Sequence, residues 1–183
     1  MEKTDLSYLV SNFDIEDKFK GQNIKIVTYP ELKDYNDITE LVPEEICACF
    51  ILIETSKNSG HWTVVARYHG NIYYFDSYGV KPDGELSHIS KTLRYELGED
   101  HNYLTYLLES TDMNVTYNNF QFQSYHADIN KWCVVFTKAI FEGLTIKAFK
   151  AGIDHLKDIY KEEYPDVKDY IYDRIASMLY ETY

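Results

Sequence analysis

The chain is expected to fold as an α+β protein, a small and mostly antiparallel sheet flanked by helices. Three observations carry that expectation. The stretch Gly60–Gly79, GHWTVVARYHGNIYYFDSYG, holds two strand-like runs joined by His69–Gly70, the pattern of a two-residue β-hairpin. The run CACFILIE, Cys47–Glu54, is continuously apolar and of strand length, as a strand buried on both faces would be. Beyond Leu86 the apolar spacing becomes helical and stays so through most of the remaining chain.

Taken in order, Thr4 can cap a short helix whose stripe is Leu6, Leu9, Val10 and Phe13. Residues 22–45 are polar and turn-rich, contain Pro30 and Pro43, and offer at most one short strand around IKIVTY. The buried strand and the hairpin follow, separated by the loop TSKNSG. After Lys81–Gly84, Leu86, Ile89, Leu93 and Leu97 form a helical stripe ending near Gly98. Tyr103, Leu104, Leu107 and Leu108 suit a second helix, and NVTYNNFQFQ alternates like a strand. WCVVFTKAIFEGL reads as a buried helix ending at Gly143. Two amphipathic helices, TIKAFKAGIDHLKDIY and DVKDYIYDRIASMLY, complete the chain.

With 183 residues, 45% of them hydrophobic, the chain can bury one substantial core, so residues 1–183 are expected to form a single domain. The net charge of −12 opposes binding to a nucleic-acid backbone, which needs clustered Lys and Arg. No apolar run reaches the length of a membrane span, and the amino terminus lacks the apolar core of a signal peptide. Three cysteines, Cys47, Cys49 and Cys133, do not suggest a disulfide framework. Cys47-x-Cys49 has no matching downstream ligand cluster, so neither a zinc site nor any cofactor is expected.

The residues that remain fit thiol chemistry. A nucleophilic thiol needs an imidazole to take its proton, a group to orient that imidazole, and donors for the oxyanion. Cys133 lies near the start of a helix, where Asp128 or Asn130 can cap and backbone N–H groups favour a thiolate. Cys47 and Cys49 sit within an apolar strand, where burial keeps a thiol inert. His61 opens one hairpin strand and Asp76 ends the other. In a hairpin centred on residues 69 and 70, Asp76 faces position 63, diagonally within reach of His61. Gln123, or Gln121 on the same side of that strand, can donate to an oxyanion, and His126 is a spare base.

The order His61–Trp62, Asp76–Ser77, Gln123, Cys133 resembles the adenain-like and ubiquitin-like-protein-specific cysteine peptidases. The closest likeness is to the maturation proteases of adenoviruses, virophages and Polinton-type elements. GHW followed by FDSYG is its specific part, and the likeness covers Cys49 to about Gly143. It implies a papain-like core in permuted order, with His61 as general base, Asp76 as its orienting carboxylate, Cys133 as nucleophile and Gln123 in the oxyanion hole. Trp62 is expected beside the imidazole. The implied activity is cleavage of viral capsid or other structural precursor proteins during virion maturation, by a monomer in the host cytoplasm or the virion. A deconjugase of a ubiquitin-like modifier, or a catalytically inactive virion structural protein, are the alternatives. The chain departs from the family pattern in having Val134 where Gly is usual, and in a longer spacing from Gln123 to Cys133.

Overall fold

The computed structural model describes residues 10–56, 59–123, 131–165 and 171–183. The elements run α1 (Asn12–Lys18), β1 (Ile24–Thr28), a 3-10 turn (Tyr29–Asp34), α2 (Ile38–Leu41), β2 (Ile46–Ser56), β3 (Ser59–Tyr68) and β4 (Asn71–Asp76). A second 3-10 turn (Gly84–His88), α3 (Lys91–Leu97), α4 (Tyr103–Glu109), β5 (Asn114–Tyr117), α5 (Lys131–Phe141), α6 (Ile146–Glu163) and α7 (Ile171–Thr182) complete it. The five strands lie in the order β1-β2-β3-β4-β5. The two long central ladders, β2–β3 and β3–β4, are antiparallel, and the short edge strands join in parallel. This is the α+β architecture expected, with helices on both faces of the sheet.

Alternation along the strands sorts the core into two layers. Ala48, Phe50, Trp62, Val64, Ala66, Tyr73 and Phe75 face α5, α6 and α7. Cys47, Cys49, Ile51, Ile53, Val65, Ile72 and Tyr74 face α4, α2 and the first 3-10 turn. Apolar residues thus leave β2 from both faces, which is why its sequence shows no polar alternation. The hairpin turns at His69, which takes a left-handed φ of 52°, and pairs Thr63 with Asp76 as the sequence expectation required.

Several elements differ from expectation. The cap at Thr4 lies outside the described residues. α1 begins instead at Asn12, with Ser11 and Asp14 forming a reciprocal capping box. Phe13 is 81% exposed, and Ile15 is the residue of this helix that enters the core. Residues 22–45 hold a 3-10 turn and α2 besides the strand. The stripe from Leu86 to Leu97 is not one helix: Ser90 caps a fresh start at Lys91, and Gly98 ends that helix with φ 74°. The strand expected over residues 114–123 stops at Tyr117. Asn118 ends it, because its side chain takes the Asp76 backbone N–H and donates to the Asp76 carbonyl, at 2.9 and 2.6 Å. Among the described residues, no helix is long and apolar enough to cross a membrane.

Candidate active site

The hairpin delivers the first two residues. β4 ends at Asp76 opposite Thr63, so β3 runs four residues past it, through Trp62 and His61 to Ser59. At that end His61 Nε2 lies 3.2 Å from Asp76 Oδ2. The pair is buried, with His61 7% and Asp76 0% exposed. An ionised carboxylate can only accept, which puts the proton on Nε2 and makes Nδ1 the basic atom of the ring.

Asp76 is held from three directions. Asn118 grips its backbone on both sides, and the Tyr78 N–H donates to Oδ1 at 2.7 Å. The turn that follows needs glycine, since Gly79 has φ 73° and a Cβ there would lie 2.7 Å from the Phe120 carbonyl. Gly60 is required for a different reason. A Cβ would meet the Ile53 carbonyl at 2.1 Å, so only glycine lets β2 and β3 pair beside His61.

The ring expected beside the imidazole was Trp62. Alternation turns Trp62 to the opposite face, where its indole N–H donates to the Val10 carbonyl at 3.1 Å. Tyr78 takes the place instead, its ring 4.6 Å from the imidazole and inclined by 30°.

Cys133 sits in the first turn of α5, and its thiol donates to the Trp62 carbonyl at 3.2 Å. The sulfur therefore reaches the backbone of the residue next to His61. Its packing partners belong to the Trp62 layer, whereas His61 shares a face with Thr63, Val65 and Tyr74. A thiolate favoured by the helix start was expected. Burial, and secondly the charge of Asp76, instead push the Cys133 thiol well above its ordinary value, so the resting group is a protonated thiol. Asp128, Asn130 and His126, named as caps and spare base, lie outside the described residues. Cys47 and Cys49 are buried free thiols, both raised by desolvation as expected of inert cysteines.

Gln123 is buried and Gln121 exposed, so the two do not alternate on one strand face. Ser77 Oγ donates to Gln123 Oε1 at 2.7 Å, which assigns Nε2 as the donor end of the amide. That Nε2 donates to the Tyr78 hydroxyl at 3.4 Å. The Gln123 backbone N–H donates to the Ser77 carbonyl, and the Gln121 amide to the Gln123 carbonyl. Gln123 is thereby tied to the same turn that holds Asp76 and covers His61. Its neighbour Phe122 stacks on Trp132, the neighbour of Cys133, with centroids 4.7 Å apart. The stack spans the long Gln–Cys spacing and contributes about 0.5–1.5 kcal/mol beyond area burial.

Sequence reasoning did not find Asn118, Ser77, Tyr78 or Glu85 as parts of the site. Ser77 and Tyr78 adjoin Asp76 in the sequence, which was a usable signal. Asn118 and Glu85 reach the site only through the parallel β4–β5 pairing and the second 3-10 turn. Glu85 presents its carboxylate to His61 and Asp76, with ligand atoms of all three within 4.8 Å of one another. Burial, then Asp76, raise its carboxyl, while His61 and His88 act the other way.

Fold and site together define an α+β protein with a buried histidine–aspartate pair beside a helix-start cysteine. No protein-family model matches the chain. It is 34% identical, over 156 residues, to a protein of the Sputnik virophage described as uncharacterized protein V9, covering 83% of this chain and 87% of that one. The chain belongs to the family of that virophage protein. Among solved structures it is similar to the ASFV pS273R protease, at 12% identity and a TM-score of 0.48, covering 96% of this chain and 69% of that chain. It is also similar to the SUMO protease Ulp1, in a form with its catalytic cysteine oxidized to a sulfenic acid. There the identity is 12% and the TM-score 0.48, covering 97% of this chain and 78% of that chain.

Proposed function

We propose that the protein is a cysteine endopeptidase that cleaves viral structural precursors, including capsid proteins, during virion maturation. The observation that carries this reading is the buried His61–Asp76 pair at 3.2 Å, set at the strand end whose next carbonyl receives the Cys133 thiol. Asp76 on Nε2 orients the ring so that Nδ1 takes the thiol proton as the sulfur attacks the scissile carbonyl carbon. The tetrahedral oxyanion accepts from Gln123 Nε2 and the Cys133 backbone N–H. On collapse the C–N bond breaks and the leaving amine takes the proton from Nδ1. Water, deprotonated by His61, hydrolyses the thioester and restores the thiol.

Membership in a virophage protein family supports a viral substrate and an action in the host cytoplasm or the virion. In this reading the chain works as a single domain and as a monomer, and needs no cofactor. The test is co-expression with the structural precursors of its own virus. Wild type should process them, and Cys133→Ala should lower the rate at least ~10³-fold. Unchanged processing by that variant, or none by wild type, refutes the proposal.

A further inference from the structure

Glu85 has no part in the chemistry just described, yet it faces the center of it. One imidazole nitrogen and two carboxylate oxygens, from His61, Asp76 and Glu85, lie within 4.8 Å of one another. Two of these three residues are buried, so water screens their charges poorly. One Glu85 oxygen, Oε1, is buried and makes no hydrogen bond among the described residues. Two further polar groups border the cluster. Thr63, paired with Asp76 across the ladder, is fully buried and its hydroxyl makes no hydrogen bond among the described residues. The Tyr74 hydroxyl is likewise buried without a hydrogen bond there, and the charges of Asp76, Asp83 and Glu85 all act on it. Two carboxylates therefore lie beside one imidazole, with two buried hydroxyls on neighbouring strand positions, an excess of negative charge and of oxygen lone pairs that a cation would balance.

We propose that His61, Asp76 and Glu85 form a binding site for a divalent transition-metal ion of the zinc type. One nitrogen and two carboxylate oxygens suit such an ion, with ligand bonds of about 2.0–2.2 Å. A small inward movement of Glu85, carried on a 3-10 turn, brings the set from its present spread to that distance. Three protein ligands leave a coordination position open for water.

The ion would inhibit. It takes the Nε2 lone pair, the ring's one proton shifts through solvent from Nε2 to Nδ1 with none lost overall, and the hydrogen bond to Asp76 gives way to an Asp76–metal bond. The neutral ring then carries its proton on Nδ1 and cannot accept one from the Cys133 thiol. This consequence rests on the peptidase reading; the site itself does not, and it uses no thiol.

The probe is Zn²⁺ titrated calorimetrically into the Cys133→Ala protein. One ion should bind per chain, as tightly as to wild type, and Glu85→Gln should weaken binding at least ~10-fold. Nitrogen NMR of the imidazole on the Cys133→Ala chain, with Glu85 intact, gives a second readout independent of how the Glu85 variant folds. Zn²⁺ should move His61 Nε2 into the metal-bound range and leave Nδ1 protonated. Binding lost in Cys133→Ala, binding unchanged in folded Glu85→Gln, or a His61 resonance unmoved at saturating Zn²⁺ would each overturn the site. A chain that binds Zn²⁺ as described but cleaves no precursor keeps the site and removes the peptidase.

Discussion

Replacing Asn118 with Ala should strike the support of Asp76 without touching His61, Asp76 or Cys133. Asn118 is 1% exposed, and its amide makes three hydrogen bonds, from the Asp76 N–H at 2.9 Å and to the Asp76 and Phe120 carbonyls at 2.6 and 3.1 Å. Truncation strands one backbone donor and two backbone acceptors. Each buried group left alone costs about 1–3 kcal/mol. A water drawn into the space recovers part of that, which leaves an expected loss of about 3–5 kcal/mol. The assay is urea unfolding. With a slope of about 2 kcal/mol/M, the midpoint should fall by about 1.5–2.5 M. Asn114→Ala is the control, since Asn114 is exposed, its amide donates to the Asn71 side chain at 3.1 Å, and its loss should cost under about 0.5 kcal/mol. A midpoint shift below about 0.5 M for Asn118→Ala, or an equal shift for the control, would refute the claim that Asn118 anchors Asp76.

Three other measurements bear on the same region. Burial raises all three thiols, so iodoacetamide at neutral pH should label the folded chain far more slowly than the unfolded one; rapid native labelling of Cys133 would contradict its burial. Glu99 is fully buried against the Glu54 N–H, and burial raises its carboxyl to about 7. A raised acid stabilises the fold fully below its unfolded value, and that contribution is lost as pH climbs through about 7, so Glu99→Gln should flatten stability across that interval and raise it at alkaline pH. An identical pH slope in the variant removes Glu99 as the cause. Gly60→Ala drives a methyl to 2.1 Å from the Ile53 carbonyl and should cost at least ~2 kcal/mol; a melting temperature equal to wild type would show that β2 and β3 can part there without penalty.

Much of this was legible before any coordinates. The hairpin at His69–Gly70 set the register that places Asp76 opposite Thr63, and from it the diagonal approach of Asp76 to His61 followed by counting. The doubly buried β2 was readable as a continuous apolar run, and the helix from Tyr103 and the three carboxy-terminal helices because each repeats an apolar period over its own length. Such patterns are local, and an apolar period reports on the neighbours that share it.

Contacts between distant segments were not readable. Asn118 meets Asp76 through a parallel pairing that nothing in YNNF announces, and Gln123 is tied to Ser77 and Tyr78 after its expected strand has already ended. The resemblance implied Trp62 against the imidazole, but strand alternation sends it to the opposite layer and leaves that place to Tyr78. The state of Cys133 shows the difference most sharply. Its residue type and helix-start position favour a thiolate, and those are sequence properties. Whether water reaches the sulfur, and how near a carboxylate lies, depends on the packing of α5 against the sheet. The chain by itself determined which groups could react, whereas tertiary packing decided their solvation and their partners, and it is these that fix where each proton resides.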